Sequence, residues 1–397
     1  MKTGRNRQHD LGHVILRNLS RYRRTGKTWE KCSPSPHPLI LLGYTIQPSH
    51  ERDRLCREAP MVPRSSQLTV IVTTSPTPSI PSTELISSVL QSFHRHCTDL
   101  ISARVIVVFD TFDRVGTRSR LKKGQATPEV AANYGVYKQN VKELILREYA
   151  SSDASPDPVM QEWQDQAEFG LDHLNNVVDL SITQTDTKQV TFIEPAARLG
   201  FGLAVRSALR VCETPYVWVQ QHDWALVADI PLAPLLEIME CSDVDQVAAV
   251  KYVSFPSVRM LSYATQPCVL DFPALRALTR DLTLDFVPLS RPEMTVPLTP
   301  LYFWFDKPHI ASTEHYLSRV FPNRLTMRRG EFIEDKVGQQ ARQQMKEGQW
   351  HKWACWLYYP DEGKQLCLGH LQGRTWNGAE GELLTKYGYS EVDTKST

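Results

Sequence analysis

Several signatures are missing from this 397-residue chain, and each absence narrows what it can be. Its eight cysteines, at 32, 56, 97, 212, 241, 268, 355 and 367, never form a Cys-x-x-Cys pair, so neither a zinc site nor a thioredoxin-like redox motif is signalled. Their scatter suits a reducing compartment, where a buried thiol behaves as a small hydrophobe, and leaves room for one or two disulfides. No apolar run approaches the roughly 18 residues needed to cross a bilayer. The best candidate, residues 38–46, is short and broken by Gly43. The N-terminus is basic but has no signal-peptide core or cleavage site. That pattern reads as a cytoplasmic protein, or as an ER or Golgi lumenal one where an anchor is missing from this chain. A net charge of +1 argues against a dedicated nucleic-acid binder. There are no internal repeats and no low-complexity tracts. Asn18 is the one Asn-x-Ser/Thr site, and it decides nothing from its place in the basic head.

What is present is the composition of a globular protein, 41% hydrophobic and 22% charged. At this length the chain makes one large α/β domain with extensions, or two small domains. Its charge is uneven. Residues 1–66 hold 13 Lys/Arg against 5 Asp/Glu, which leaves 32 against 39 for the rest. A basic, proline-containing head on a mildly acidic body reads as a flexible appended extension. The sharper alternative is a segment that touches an anionic membrane surface or partner.

After residue 66 the pattern changes. Residues 68–73 (LTVIVT) carry the β-branched, apolar signature of a buried strand. Residues 83–95 have helical spacing, with Leu85, Val89, Leu90 and Phe93 on one face. A second buried strand, 104–109 (RVIVVF), ends in Asp110. This β-loop-α-β order predicts a parallel sheet. A helix follows over 127–149. Residues 151–189, acidic and polar, read as a loop-rich insertion. Strands are expected at 189–193, 216–220 and 246–253, with helices at 199–211 and 230–239. Past residue 263 the pattern is irregular, with aromatic stretches at 301–305 (LYFWF) and 354–359. Trp350, Trp353 and Trp356 recur every third residue, as core packing or as a sugar-stacking surface.

Open parallel sheets bind ligands at the carboxyl ends of their strands. Three polar clusters fall there: Thr73–Thr74–Ser75, Asp110, and Gln221–His222–Asp223. The glycines of a dinucleotide fingerprint are absent after the first strand, and so is a P-loop. The run 198–225, RLGFGLAVRSALRVCETPYVWVQQHDWA, resembles the central stretch of GT-A glycosyltransferases, family 2 above all. The strand ends LTVIVTTSP and VIVVFDTF resemble that family's two nucleotide-binding strands. The acidic pair in GEFIEDKVGQQAR extends the likeness, and HLQGRTW at 370–376 fits more loosely.

The resemblance implies a GT-A fold, a mixed and mostly parallel sheet flanked by helices. It divides the chain into a basic extension (1–66), a nucleotide-sugar-binding half (67–255) and an acceptor-side half carrying the base (256–397). It implies transfer of a sugar from a nucleotide-sugar, a UDP-sugar first, to an acceptor hydroxyl with inversion. Asp110 would hydrogen-bond the donor base and Thr74 would touch the nucleotide. Arg198 and Gly200 would approach it from the loop before a helix. Gln221–His222–Asp223 occupies the place of the Asp-x-Asp motif that holds Mn²⁺ or Mg²⁺, and Asp335 the place of the general base. Gln221 departs from the pattern, which leaves Asp223 as the one strong hard-metal ligand there. His370 is the first candidate for a further ligand and His222 the second. The acceptor is a glycan, a protein or a small molecule, with no nucleic acid among the partners, and loops 151–189 and 264–330 carry no readable code for it. Two rivals remain. A nucleotidyltransferase needs a Gly-rich, basic loop after the first strand, and TTSPTPSIPS is neither. A non-catalytic binding or scaffold protein on the same fold draws its support from Gln221.

Overall fold

The computed structural model describes residues 63–117, 123–150, 158–174, 176–243, 245, 247–376 and 378. The basic extension therefore lies, up to residue 62, outside the described residues. Eleven strands build one sheet. They are β1 (Leu68–Thr74), β2 (Arg104–Phe109), β3 (Met160–Glu168), β4 (Val177–Thr185), β5 (Val190–Pro195), β6 (Tyr216–Gln221), β7 (Tyr252–Ser254), β8 (Leu284–Phe286), β9 (Val296–Pro300), β10 (His309–Ser312) and β11 (Cys355–Tyr358). Their order is β8-β9-β11-β7-β10-β6-β1-β2-β5-β4-β3. The centre, β5-β2-β1-β6, is parallel. Both wings are antiparallel apart from the β7–β11 pair. The expected α/β class, a mixed sheet flanked by helices, is present, with its parallel pairing concentrated in the middle.

That centre is continuous in sequence because it is covered on both faces. Every residue of β1 is buried, and all of β2 after Arg104. The chain runs outward from β1 through β2 to β5, then crosses back to β6 on the other side of β1. The strand order thus reverses between β1 and β6, which opens a crevice at their carboxyl ends. Helices α1 (Glu84–His96), α2 (Pro128–Glu148), α3 (Phe201–Val211), α4 (Leu232–Cys241) and α5 (Pro273–Leu282) complete the layers. Helix α1 buries Leu85, Ile86, Val89, Leu90 and Phe93 from one stripe. Helix α2 starts cleanly because the Thr127 hydroxyl accepts the Val130 N–H at 3.2 Å and Pro128 opens the first turn.

Two expectations need correction. The stretch 151–189 is not loop-rich where it is described. It forms the antiparallel hairpin β3–β4, paired from Met160↔Thr185 to Glu168↔Val177. The signal was a period of two in VVDLSITQT, where Val178, Leu180 and Ile182 turn inward between exposed Asp179 and Ser181. The strand expected at 246–253 begins only at Tyr252. Ahead of it the Asp245 carboxylate takes the N–H groups of Val247 and Ala248, and the Ser242 hydroxyl takes that of Val250. Side chains have replaced the ladder there. Of the two readings of Trp350, Trp353 and Trp356, core packing holds: they are 2%, 2% and 0% exposed. Cys97, Cys212, Cys241, Cys268, Cys355 and Cys367 are free thiols. Among the described residues no helix is long and apolar enough to cross a membrane.

Candidate active site

The crevice at the strand-order reversal is a cavity of about 720 Å³. Thr73–Ser75 after β1, Asp110–Phe112 after β2, Arg198 and Gly200 before α3, and Gln221–Asp223 ending β6 all line it. Phe332, Lys123, Arg374 and Thr375 close its other side. The three clusters singled out in sequence therefore meet in one place.

Asp110 is 7% exposed, and both of its carboxylate oxygens are engaged. Oδ1 accepts the N–H groups of Leu199 (2.7 Å) and Thr111 (3.0 Å), and Oδ2 accepts that of Gly200 (3.0 Å). Burial pushes this carboxyl up from its ordinary value, while the backbone donors and the Arg198 charge act in the opposite direction. Asp110 thus ties the β2 end to the loop that opens α3, with lone pairs left for a ligand donor. That loop cannot accept a side chain at Gly200. Its φ is +81°, and an added Cβ would meet the Gly330 Cα at 2.4 Å. The Gly330 N–H donates to the Leu199 carbonyl at 2.7 Å, which closes the contact. Arg198 beside it lies 3.2 Å from Asp113, whose other oxygen is 2.9 Å from Arg329.

Thr74 is buried, and its hydroxyl lies 2.7 Å from the Tyr137 hydroxyl and 3.0 Å from His222 Nδ1. The Ser75 N–H also donates to that Nδ1, at 3.0 Å. Nδ1 is therefore an acceptor, and the neutral ring carries its proton on Nε2. Burial lowers the His222 pKa, against the raising charge of Asp223. So the middle residue of Gln221–His222–Asp223 clasps the β1 and β6 ends together. Gln221 turns its amide away, donating from Nε2 to the Asp306 carbonyl at 2.8 Å.

Asp223 is different. The strand pair Trp224–Leu226 and Leu368–His370 forms a small ribbon that brings His370 opposite Trp224. His370 packs on the Trp224 ring at 4.6 Å, and its Nε2 is 3.2 Å from Asp223 Oδ2. The Gly373 N–H donates to the same oxygen at 3.2 Å. Burial acts to raise Asp223, but the His370 hydrogen bond, the His222 and His370 charges and the Gly373 N–H hold it below the usual carboxylate range. Residues 147 apart in sequence have become one donor pair. No group of three His, Cys, Asp or Glu able to hold a metal occurs among the described residues.

Asp335 stands apart from this wall. It is exposed, in a wide π turn (Glu334–Gly338) that opens a helical run continuing through Gln339–Gln344. Such turns recur at functional sites. Phe332, three residues earlier, lines the cavity, and Lys123 on the cavity rim feels the Asp335 charge. Partial burial lowers the Lys123 pKa, which Asp335 opposes while Arg198 and Arg374 add to it. Lys123, Phe332, Tyr137 and Asp306 escaped the sequence reading. The spacing of Tyr137 marks it as core, and nothing in the sequence marks Lys123. Arg374 lay inside HLQGRTW without being assigned a role.

No family model matches the chain, and no curated protein matches it. Solved structures do. The crystal structure of S. aureus TarS shares 10% identity over 76% of this chain and 36% of its own, with a TM-score of 0.35. The TarS 1–349 complex with UDP-GlcNAc shares 10% over 76% of this chain and 57% of its own, also at 0.35. The mannosyltransferase PcManGT from Pyrobaculum calidifontis, in complex with GDP-Man and Mn²⁺, shares 14% over 68% of this chain and 52% of its own, at 0.29. The chain thus spans between 36% and 57% of the length of these three solved chains. PcManGT is a mannosyltransferase, and at this level of likeness none of these structures carries chemistry to this chain.

Proposed function

We propose that this protein is a GT-A glycosyltransferase of the family 2 kind, which moves a sugar from a nucleotide-sugar, a UDP-sugar first, to an acceptor hydroxyl. The observation that carries this reading is the Asp223–His370 pair at the β6 end. Its Asp223 lines, together with Thr74 and Asp110, a cavity large enough for a small ligand, and His370 supports it from behind that lining. Asp110 and Thr74 would border the nucleotide, with Arg198 and Gly200 beside it.

The donor set fits a divalent cation, Mn²⁺ before Mg²⁺ because one donor is an imidazole. Two such donors would have to lie close enough to share one ion. Asp223 Oδ2 and His370 Nε2 are separated by 3.2 Å. A cation held by Asp223 and His370 would neutralise charge on the departing diphosphate. Asp335 is the base. The acceptor oxygen forms its bond to the anomeric carbon as the bond to the diphosphate breaks. The electron pair leaves with the nucleoside diphosphate, and the hydroxyl proton passes to the Asp335 carboxylate. One displacement of this kind inverts the anomeric centre.

The test is the melting temperature of the protein with UDP, GDP, CDP or ADP, with and without Mn²⁺. A diphosphate at about 100 times its dissociation constant stabilises the fold by roughly 2.7 kcal/mol. The expected result is a Mn²⁺-dependent shift with UDP that Asp223→Asn abolishes. No shift with any diphosphate would sink the reading and favour a non-catalytic protein on this fold, to which Gln221, turned onto a main-chain carbonyl, already lends support.

A further inference from the structure

A second cavity of about 410 Å³ is lined by Asp113, Arg114, Lys123, Gly124, Gln125 and Arg329. Lys123, Gly124 and Gln125 line the large cavity as well, so the two spaces share a wall. The smaller one is built on a two-stranded ribbon in which Arg114–Val115 pairs with Gln125–Ala126. The N–H groups of Asp113 and Arg114 both reach the Gly124 carbonyl, at 2.8 and 3.3 Å. That arrangement holds Arg114 and Lys123 at one end of the ribbon, facing the loop that carries Arg329.

The charge of this wall runs against that of the body around it. Residues 67–397 hold 32 basic against 39 acidic side chains, whereas here three cations face one carboxylate. That carboxylate is already shared: Asp113 lies 2.9 Å from Arg329 and 3.2 Å from Arg198. One negative charge thus meets two guanidinium groups. Arg114 is exposed and has no ion pair among the described residues. The Lys123 ammonium has a ring beneath it, 3.7 Å from the Phe332 centroid, and no carboxylate in hydrogen-bond contact among the described residues. Guanidinium groups that converge with an ammonium on a cavity are suited to a phosphate, which accepts from several donors at once.

We propose that this smaller cavity binds a phosphate group carried by the acceptor, so that the substrate glycosylated here is a phosphate-bearing alcohol. The assignment of that phosphate to the acceptor rests on reading the large cavity as the donor site. The positions agree with it. Lys123 lines both cavities and sits 3.7 Å from the ring of Phe332, three residues before Asp335, so a phosphate held by Arg114, Lys123 and Arg329 would bring a neighbouring hydroxyl towards the base. The rival source of phosphate is the donor's own diphosphate.

Calorimetric titration of the full chain with inorganic phosphate, before and after saturation with UDP and Mg²⁺, separates the two. Phosphate is expected to bind the UDP-saturated protein. Arg114→Gln should weaken it by about tenfold or more, the loss of one charge-assisted contact, while UDP affinity stays within about twofold. Arg114→Lys, which keeps the charge, should lose less. Because Arg114 is exposed, the ligand-free melting temperature should not move, and that checks the fold. If UDP eliminates phosphate binding, or if Arg114→Gln weakens UDP as much as phosphate, these cations serve the donor and the proposal falls. If phosphate binds through Arg114 while UDP never binds, the anion subsite stands and the donor reading falls instead.

Discussion

The strand-end wall of the cavity and the aromatic body of the C-terminal half are both buried, yet they treat polar groups in opposite ways. At the ends of β1, β2 and β6, Thr74, Asp110 and His222 each have at least two hydrogen-bond partners. In the C-terminal half, Trp304, Tyr252, Tyr316 and His309 pack face and edge within 4.3–6.1 Å of one another. There Asp306 Oδ2 and His309 Nε2 are buried without a partner. An orphaned polar atom costs about 1–3 kcal/mol. The wall is therefore a satisfied, tied-together network, whereas the aromatic body carries unrelieved polar cost and should respond more to pH. The two regions meet at residues 332–335. Burial, with the Glu334 and Asp335 charges beside it, pushes the Asp306 carboxyl well above the usual carboxylate range. Its Oδ1 accepts the Glu334 N–H at 3.2 Å, and its own N–H donates to Glu334 Oε2 at 3.3 Å.

The largest effect is expected at that seam. Asp335 is exposed and makes no hydrogen bond among the described residues, so Asp335→Asn should leave the unfolding free energy within about 0.5 kcal/mol of wild type. If it is the base, turnover should fall by about 10² to 10⁴ while UDP binding persists. Steady-state rates beside a UDP titration check both halves. A variant that keeps its turnover would move the chemistry back to the strand-end wall.

On the wall itself the sharpest probe is Gly200→Ala. The new methyl must adopt a φ of +81° and meets backbone atoms of Gly330 at 2.4–2.8 Å, with no flexible side chain to give way. Backbone strain and overpacking of this kind add to about 3 kcal/mol or more. Because the Asp110 carboxylate grips the same loop, nucleotide binding should be lost along with stability, as read by denaturant unfolding and UDP titration. Equal loss of stability with intact UDP binding would mean that the wall is less of a unit than its hydrogen bonds imply.

How far this was legible in sequence follows the same division. Strands β1, β2 and β6 announce themselves because burial on both faces leaves unbroken apolar runs, and the polar residues after them then mark the crevice. Asp110, Thr74, Arg198, Gly200 and Asp223 came from that rule and from the family resemblance, and all line one cavity. The contact of His370 with Asp223 was legible only through the resemblance, since 147 residues separate the two. Lys123 and Asp306 were not legible at all. Lys123 reaches the cavity from a short ribbon whose two-residue strands leave no periodicity. Asp306 lies in an irregular aromatic stretch where neither a helical nor a strand period exists to say which side chain is inside. The hairpin β3–β4 was hidden by an edge strand, MQEWQDQAE, whose exposed polar face resembles a loop.

The smallest predicted effect sharpens the contrast by pH. His309 is fully buried in the aromatic body, its Nδ1 lies 2.7 Å from the Lys307 carbonyl, and burial lowers its pKa from 6.5 to about 4. The folded protein therefore keeps the ring neutral, while the unfolded chain takes up a proton as pH falls through about 6.5. Where the unfolded state binds more protons, stability rises with pH, so this contribution is complete above about pH 6.5 and is lost on descending towards pH 4. Below that both states are protonated and the loss stops. His315, also lowered to about 4 by burial, adds the same slope, and the raised Asp306 opposes it. Comparing wild type with His309→Phe cancels both. Urea unfolding at pH 7, 5.5 and 4 should show the wild type losing up to about 3 kcal/mol relative to the variant over that range. Parallel curves would mean that the imidazole finds relief on protonation, and that the aromatic body is no more sensitive to pH than the wall.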